Sequence, residues 1–355
     1  MYEIYRLLVR FCYFCISLKV SMNTRSKIEE PVAKEFQQFN DEFANSLKSE
    51  TRRLQSAIIQ IQHAVGKHVR PLLVLLTAKA CGKITEHTIN AAVLLELLHT
   101  ATLIHDDVID ETKERRGLPS LNAIFDNRVS VLVGDYILSS ALIRAIQTRN
   151  LQIISIVSNL GRDLSEGEIK QLETAEESIV DEEAYMQVIK KKTATLLSAC
   201  TEIGAICADA PADIVEKSKL LGEYLGYAFQ IKDDIFDYYK NDDLGKPTGN
   251  DIREGKVTLP LLYALQHAGP AELETYMTLL RSKVFTPVQV DQLIDFAIRK
   301  GGIEYAENRM RHYHSKAIEL VDSYPDSDAK EALILLANYI IERKSKAGND
   351  KRGVF

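Results

Sequence analysis

A chain of 355 residues has room for one large domain or two ordinary ones, and 46% hydrophobic with 26% charged residues is typical of a soluble globular protein. The formal net charge of −6 argues against a general nucleic-acid binder. Five scattered cysteines, Cys12, Cys15, Cys81, Cys200 and Cys207, indicate reduced thiols and a cytoplasmic location, and Cys12-x-x-Cys15 lacks the second pair that a zinc site needs.

The N-terminal segment holds a short apolar run at 11–16, preceded by Arg6 and Arg10. This run is too short to span a membrane, and no small-residue cleavage pattern follows it. It fits either a weak interfacial anchor, which would associate the protein loosely with a membrane, or a translation start at Met22. The resulting domain assignment is an N-terminal extension over 1–25, one domain over 26–346 and a C-terminal tail over 347–355.

From about Ile28 onward, apolar residues recur with a helical period, and glycine and proline separate the periodic segments. Segments such as 91–104 and 193–208 are apolar around most of their circumference, which is typical of helices inside a bundle. The fold class is therefore all-α, as a single large helical bundle. The predicted helices are 28–46, 50–64, 70–82, 86–112, 120–126, 130–148, 151–172, 181–208, 212–240, 255–268, 271–284, 287–299, 303–322 and 327–346.

Two aspartate clusters of the form D-D-x-x-D lie within apolar helical segments, at 106–110 and 233–237. One such cluster alone would also fit a solvated helix face or a helix cap. The repeat of three neighbouring carboxylates favours hard divalent cations, and Mg²⁺ usually completes its shell with water and substrate phosphates. The sequence predicts two facing helices that hold Mg²⁺ and a phosphorylated substrate. The metal-ligand candidates are Asp106, Asp107, Asp110, Asp233, Asp234 and Asp237.

Basic residues accompany both clusters. Lys67 and Arg70 lie at a predicted helix start, where the helix dipole also favours anions. Arg115 and Arg116 follow the first cluster and are expected to end its helix. Lys192 lies in a long apolar helix, and Lys246 and Lys256 flank the glycine-rich loop after the second cluster. Each alone is typical of a solvated surface, but together with the clusters they indicate a diphosphate ligand.

Seven short motifs lie around the clusters and the basic residues. They are G-K-x-x-R-P at 66–71, L-x-H-D-D-x-x-D-x-x-x-x-R-R-G at 103–117, G-D-Y at 134–136, E-G-E-x-x-Q at 166–171, K-T-A at 192–194, F-Q-I-x-D-D-x-x-D at 229–237 and G-K-P-x-G-N-D-x-R-E-G-K at 245–256. Together these motifs resemble those of the trans-isoprenyl diphosphate synthases, the polyprenyl synthetase family, and the resemblance runs from about Glu30 to Lys346. It implies an isoprenoid-synthase bundle with a central active-site cavity between the acidic helices.

The resemblance also implies a role for each matching residue. Asp106 and Asp110 would bridge two of about three Mg²⁺ ions with Asp107 in support, and Asp233 would lead the third site, backed by Asp234 and Asp237. Thr193 and Gln230 would stabilise the allylic cation. Arg115, Lys192 and Lys256, with Lys246 nearby, would hold the allylic diphosphate, whereas Lys67, Arg70, His99 and Arg116 would hold isopentenyl diphosphate. One departure is His68, which stands where the family often has a second basic residue.

The implied reaction is the head-to-tail condensation of isopentenyl diphosphate with dimethylallyl, geranyl or farnesyl diphosphate. Positive residues and Mg²⁺ would stabilise the departing diphosphate, and a closed apolar pocket would keep water from the cation. The resemblance further implies a homodimer and a product destined for the membrane, such as a quinone side chain. It implies no nucleic-acid partner.

Other functions remain open at this point. A terpene cyclase shares the fold and the first cluster, but its second metal motif usually mixes Asn, Ser and Glu. A metal-dependent phosphohydrolase is suggested by His99 and the His105-Asp106 doublet, yet it leaves the second cluster unexplained. A non-catalytic partner subunit tends to lose one cluster, whereas this chain keeps both.

Product length is predicted from the residues just before the first cluster. Residues four and five before Asp106 lie about 6–7.5 Å down the helix, where they can border the growing chain. Short-chain members of the family have a bulky aromatic there, whereas this chain has Ala101 and Thr102, with Leu98 one turn further. The expected product is all-trans and longer than C20, about C30–C50. A short-chain farnesyl or geranylgeranyl diphosphate synthase is the alternative, if these small residues only accommodate a neighbouring helix.

Overall fold

The protein is almost entirely helical, which confirms the predicted all-α fold class. The structure, a computed structural model, describes residues 24–63, 68–115, 117–178, 180–239 and 248–342. These residues form two compact units. Unit 1 takes the described part of 1–154, 203–215 and 324–336, and unit 2 takes the described part of 155–202, 216–323 and 337–355. The single-domain assignment stays a prediction, and most of the 1–25 extension and all of the 347–355 tail lie outside the described residues.

The described ranges begin with a helical segment at 24–29 and a 3₁₀ turn at Glu30–Val32, followed by sixteen further α-helices and one short hairpin. The strands are β1 (Glu114–Arg115) and β2 (Leu118–Pro119), which pair antiparallel. The helices are α1 (Ala33–Ser46), α2 (Arg52–His63), α3 (Val69–Cys81), α4 (Glu86–Ile109), α5 (Leu121–Phe125), α6 (Asn127–Gln147), α7 (Leu151–Glu177), α8 (Glu182–Ile189), α9 (Thr195–Cys207), α10 (Ala212–Phe236), α11 (Asn250–Arg253), α12 (Leu259–Gln266), α13 (Pro270–Arg281), α14 (Pro287–Arg299), α15 (Gly302–Val321) and α16 (Asp328–Glu342).

Most predicted helices agree with these bounds to within a few residues, with two informative differences. The segment predicted as one helix over 181–208 is interrupted by a π-helical turn at Lys190–Ala194. The segment predicted over 255–268 begins only at Leu259, where Pro260 occupies the first turn. Proline favours a helix start because its missing N–H would have no partner there in any case.

Helix α4 is the central helix of unit 1 and carries the first aspartate cluster. Thr85 caps its N-terminus, with a reciprocal bond between Thr85 and Thr88. It packs against α1, α3 and α6, so most of its side chains are buried. Its length and apolar composition would also allow a membrane span, but 72% of its 18-residue apolar stretch is buried inside the protein. Burial of this extent is typical of a core helix.

Helix α6 is also long and apolar enough to span a membrane, and only 33% of its 18-residue apolar stretch is buried. One face packs against α4 and includes Gly134 and Ala141, both buried. The exposed side carries large apolar side chains, among them Leu132, Ile143 and Ile146. Large exposed apolar side chains on one helix are frequent on surfaces that bind a partner.

The core of unit 2 is built around α12, which packs against α14 and α15. The closest approach is at Gly302, where a Cβ atom would lie 2.1 Å from the carbonyl oxygen of Pro260. Only glycine therefore allows α15 to begin this close to α12. Thr286 caps α14 in a reciprocal bond with Gln289 and fixes where that helix begins.

The described cysteines behave as the sequence predicts. Cys81, Cys200 and Cys207 are thiols rather than disulfide partners. Burial raises the pKa of the Cys207 thiol to about 12, so this group is unreactive at neutral pH. Cys12 and Cys15 lie outside the described residues.

Candidate active site

The first aspartate cluster lies at the C-terminal end of α4, and its carboxylates do not share one environment. Asp107 is buried, Asp106 is half-buried and Asp110 is exposed at the helix end. Asp107 lies about 100° round the helix from Asp106, so the three carboxylates of this cluster do not all point the same way. Asp107 faces the protein, whereas its neighbours lie nearer the solvent.

Arg115 neutralises Asp107. Its Nη2 lies 2.6 Å from Oδ1 of Asp107, and its Nε donates to both carboxylate oxygens, at 2.8 and 2.9 Å. The hairpin of β1 and β2 holds Arg115 in place, with Gly117 at a positive φ in the turn. The prediction that Arg115 ends the α4 helix is wrong, since α4 ends at Ile109. Asn122 also donates to the Asp107 carbonyl at 3.0 Å, which fixes the end of α4.

Unit 1 contains a cleft of about 680 Å³ beside this cluster. Its walls bring Asp107 and Arg115 together with His99, as predicted, and also include His68 and Glu96. The full lining is Phe43, Gln60, Ile61, His68, Glu96, His99, Thr100, Leu103, Ile104, Asp107, Arg115, Pro119, Ser120 and Leu121.

The three predicted chain-length residues do not line this cleft. Ala101 and Leu98 are buried in the packing of α4, and Thr102 is half-buried, with its hydroxyl donating to the His99 carbonyl at 2.9 Å. Their predicted role as a pocket floor stays a prediction. Arg70 is half-buried in the first turn of α3. Lys67 lies outside the described residues.

In unit 2 the π-helical turn at Lys190–Ala194 carries two of the predicted catalytic residues, Lys192 and Thr193. Such turns widen the backbone spiral and occur frequently at functional sites. The Nζ of Lys192 lies 2.6 Å from Oε2 of Glu168, which is buried on α7. Glu168 belongs to the predicted E-G-E-x-x-Q motif, and here it fixes the direction of the Lys192 side chain.

Four side chains form a hydrogen-bonded chain that leads to the second aspartate cluster. Thr193 donates from its hydroxyl to Oε1 of Gln230 at 2.7 Å, and Nε2 of Gln230 donates to Oδ1 of Asp234 at 2.8 Å. The hydroxyl of Tyr185 donates to the other oxygen, Oδ2, at 2.7 Å. The buried Asp234 carboxylate therefore fixes the direction of the Gln230 amide, which leaves its oxygen as the acceptor for Thr193.

The other aspartates of this cluster lie in different environments. Asp233 is exposed, whereas Asp237 is half-buried and accepts three backbone N–H bonds, from Gly249 at 3.1 Å and from Asn250 and Asp251 at 3.0 Å. Asp237 thus anchors the first turn of α11. The supporting role of Asp237 at a metal stays a prediction.

The carboxylates of this region raise each other's pKa. Burial and the charge of Asp251 hold the pKa of Asp234 well above its usual range. Burial and the charge of Asp237 raise the pKa of Asp251 to about 7. This accumulation of negative charge is unfavourable unless a cation compensates it.

The cleft of unit 2, of about 860 Å³, collects the residues predicted to act on the allylic substrate. Lys192, Thr193, Gln230, Asp234 and Lys256 all line it, beside Tyr185 and several apolar side chains. The complete lining is Gln171, Thr174, Ala175, Asp181, Tyr185, Val188, Ile189, Lys192, Thr193, Gln230, Asp234, Asp251, Lys256, Val257, Thr258 and Leu262. Lys246 and Arg116 lie outside the described residues.

The donors present fit Mg²⁺. Among the residues that the structure describes, no three His, Cys, Asp or Glu side chains converge into a metal site made by the protein alone. Mg²⁺ does not require one, because it usually binds one or two carboxylates and completes its shell with water and substrate phosphates. The clusters offer only carboxylate oxygens, which are the ligands it prefers.

Three residues of these clefts were missed in the sequence analysis. Tyr185 gave no signal, because an aromatic residue in an apolar helix is normally core. Asp251 is the aspartate of the motif at 245–256 and was given no role of its own. Glu96 did give a signal, since it is the one charged residue in the run Leu94–Leu98. A lone carboxylate in a buried helix is almost always paired with a cation.

Comparison with known proteins agrees with this geometry. A family model described as polyprenyl synthetase matches residues 51–296. The chain is 34% identical to the octaprenyl diphosphate synthase of Haemophilus influenzae over 325 residues, covering 91% of this chain and 98% of that protein.

Solved structures give the same result. A geranylgeranyl pyrophosphate synthase from Bacteroides thetaiotaomicron is 42% identical with a TM-score of 0.79, covering 90% of this chain and 100% of that one. A decaprenyl diphosphate synthase from Rhodobacter capsulatus is 32% identical with a TM-score of 0.85, covering 90% and 98%. The matches extend over most of the chain and include both acidic motifs, so the protein belongs to the polyprenyl synthetase family.

Proposed function

We propose that this protein joins isopentenyl diphosphate to an allylic diphosphate, head to tail, and repeats the step to form a long all-trans polyprenyl diphosphate. The observation that carries the proposal is the cleft of unit 2. It brings a directed lysine, Lys192, and two directed oxygen groups, on Thr193 and Gln230, beside a carboxylate of the second cluster. The names of the relatives, an octaprenyl and a decaprenyl diphosphate synthase, support the same reaction.

The first step is loss of diphosphate from the allylic substrate. The C1–O bond breaks, the electron pair leaves with the diphosphate, and Lys192 and Lys256 in the cleft of unit 2 would hold the leaving group. The carboxylates of Asp106, Asp110 and Asp233 would hold Mg²⁺, which when bound would supply Lewis-acid neutralisation of the diphosphate charge. Cationic groups that are already oriented stabilise the developing charge without reorganising during the reaction.

The second step forms the new carbon–carbon bond. The double bond of isopentenyl diphosphate attacks C1 of the allylic cation, and the product loses a proton to the released diphosphate. The oxygens of Thr193 and Gln230 would stabilise the cation, and their hydrogen bonds hold them in place. Val188, Ile189 and Leu262 give the cleft an apolar wall that would keep water away from the cation.

The product would be about C30–C50 long. Its support is the small side chain of Ala101 at the level where short-chain family members have an aromatic residue, together with the long-chain relatives. A C20 product is the second candidate, because the geranylgeranyl pyrophosphate synthase shares 42% identity with this chain.

Two further parts of the proposal concern assembly and location. The exposed apolar side of α6, with Leu132, Ile143 and Ile146, supports a homodimer in which a second copy covers it. The protein would act in the cytoplasm, associate at most loosely with a membrane and deliver its product to that membrane.

The experiment that tests the reaction is a single incubation with isopentenyl diphosphate and farnesyl diphosphate, followed by chromatography of the products. We expect all-trans products longer than C20, and no product once EDTA removes the metal. A terpene cyclase would consume farnesyl diphosphate alone, a phosphohydrolase would release phosphate from either substrate, and a partner subunit would do neither. Any of these results would contradict the proposal, and a C20 product would contradict the length.

The variant Ala101→Phe tests the pocket. An aromatic ring in place of the Ala101 methyl group should stop elongation at about farnesyl or geranylgeranyl diphosphate while isopentenyl diphosphate is still consumed. Overpacking a buried position costs about 1–3 kcal/mol, so folding is checked by thermal unfolding. An unchanged long product from a folded, active variant would place the chain-length floor elsewhere.

A further inference from the structure

A buried contact between a histidine and a carboxylate lies in the cleft of unit 1. Nδ1 of His68 is 3.3 Å from Oε1 of Glu96, within ion-pair distance although not aligned as a good hydrogen bond. Both side chains are about nine-tenths buried. The family resemblance assigns no role to Glu96, and it leaves that of His68 open.

His68 is held in place from two sides. Its backbone adopts the left-handed conformation, with φ 45° and ψ 44°, immediately before the first residue of α3. Its ring is surrounded by Phe36, Phe39 and Phe43 of α1, at centroid distances of 6.3, 5.3 and 5.7 Å and nearly perpendicular to each. A side chain fixed in this way is not a mobile cation that could follow a substrate.

Glu96 lies among the residues that would bind isopentenyl diphosphate. Burial alone would raise its pKa, but the contact with His68 and the charges of His99 and Arg70 outweigh burial and lower the pKa to about 2. The carboxylate is therefore ionised at every pH at which the enzyme works. His99 lies three residues further along α4, on the same face of the helix.

We infer that His68 and Glu96 form a positioning pair that holds Arg70 and His99 in the orientation that binds the diphosphate of the isopentenyl substrate. This inference rests on the proposed function, since it concerns the same substrate. The contact between His68 and Glu96 ties the start of α3, whose first turn carries Arg70, to the turn of α4 that precedes His99.

Two physical effects oppose each other at Glu96, and this makes the inference testable. As an anion near a diphosphate, Glu96 repels the substrate, so its removal should tighten binding if charge alone mattered. As a positioning group, its removal should weaken binding because the cations lose their orientation. The inference requires the second effect to exceed the first.

The test measures kcat and KM for each substrate in the full-length enzyme, with Glu96→Gln and His68→Asn as variants. Asparagine tolerates the left-handed conformation, so His68→Asn keeps the start of α3 while removing the imidazole. We expect each variant to raise KM for isopentenyl diphosphate about tenfold, equivalent to about 1.4 kcal/mol. KM for farnesyl diphosphate and kcat should change less than about twofold. The double variant should be no worse than either single one, because both remove the same contact.

Glu42→Gln is the matched control. Glu42 also lies in unit 1 and accepts a charged hydrogen bond, from Nη2 of Arg144 at 2.6 Å, but it lines neither cleft. It should affect thermal stability without changing either KM.

Several results would overturn the inference. They are a lower KM for isopentenyl diphosphate in Glu96→Gln, an equal rise of KM for both substrates, or a rise of KM in the double variant that equals the sum of the two single effects. Loss of folding in both single variants would also overturn it, because the pair would then be structural only. A wild-type enzyme that forms no polyprenyl product would instead contradict the proposed function.

Discussion

The contact between α10 and the π-helical turn leaves no room for a side chain at Gly226. A Cβ atom there would lie 2.4 Å from Cα and 2.8 Å from Cβ of Ala194, the last residue of the turn. Carbon atoms pack at about 3.5–4.0 Å, so Gly226→Ala must push α10 and the turn apart by roughly 1 Å. The obstructing atoms belong to the backbone and to a methyl group, neither of which can rotate away.

The magnitude follows from two opposing terms. Replacing glycine by alanine inside a helix stabilises it by about 1 kcal/mol, whereas overpacking a tight contact costs about 1–3 kcal/mol or more. Gly226→Ala should therefore lower the unfolding free energy by up to about 2 kcal/mol. The same movement displaces Lys192 and Thr193, and a 1 Å misplacement of catalytic groups can reduce a rate about 100-fold. We expect kcat to fall roughly tenfold to a hundredfold.

Gly161→Ala provides the matched control. Gly161 lies inside α7, also in unit 2, and a Cβ atom there would meet nothing within 4 Å. This variant should gain the full helix-propensity term of about 1 kcal/mol and keep wild-type activity. Thermal unfolding and steady-state kinetics, measured for both variants, test whether Gly226 is closely packed against the turn. If Gly226→Ala were as stable and as active as Gly161→Ala, the close packing of the turn against α10 would be wrong.

Three further predictions concern charged groups. Asp106→Ala or Asp233→Ala should leave the fold intact and lower turnover by orders of magnitude, because loss of one charge-stabilising donor reduces a rate roughly 10²–10³-fold. More than a tenth of wild-type turnover at saturating Mg²⁺ would contradict the assignment of these aspartates as metal ligands. Tyr185→Phe removes the donor to Asp234, so kcat should fall about tenfold, as expected for a bond to a charged group worth about 1.5–3 kcal/mol; unchanged kinetics would show that the bond is dispensable. Burial opposes ionisation of Glu96, but its cationic neighbours outweigh burial and lower its pKa to about 2. The ionised carboxylate therefore stabilises the folded state fully above about pH 4.5, and this stabilisation is lost as the pH falls towards 2. Acid unfolding of Glu96→Gln should depend less on pH than that of the wild type over this range.

The helices could be predicted because their signals are local. Periodicity and the glycine break before it predicted a helix over 86–112, and α4 runs from Glu86 to Ile109. The helix is shorter than predicted at its C-terminal end, where Arg115 of the hairpin turns back to pair with Asp107, a contact that no local pattern contains. The π-helical turn could not be predicted either, since its wider spiral over five residues hardly changes the apolar pattern of 181–208.

The sequence predicted which residues form the candidate site more fully than it predicted what holds each of them in place. The resemblance identified Lys192, Thr193 and Gln230, and the structure brings all three to one cleft. It did not predict what orients them. Glu168 reaches Lys192 from α7, and Tyr185 of α8 donates to Asp234, which in turn holds the Gln230 amide. Such contacts depend on how helices pack, and a sequence records that packing only through residues spread along the chain.

In both aspartate clusters the two adjacent aspartates, here called the doublet, lie in different surroundings. The second aspartate of each, Asp107 and Asp234, is 5% and 4% exposed and is bound by donors of the protein itself. The first, Asp106 and Asp233, lies about 100° further round the helix and nearer the solvent. A single aspartate could not be anchored in the protein and also present both oxygens to a cation. In the proposed site the doublet would separate these tasks, so that loss of the second aspartate should disturb the groups it orients, whereas loss of the first should remove a proposed metal ligand.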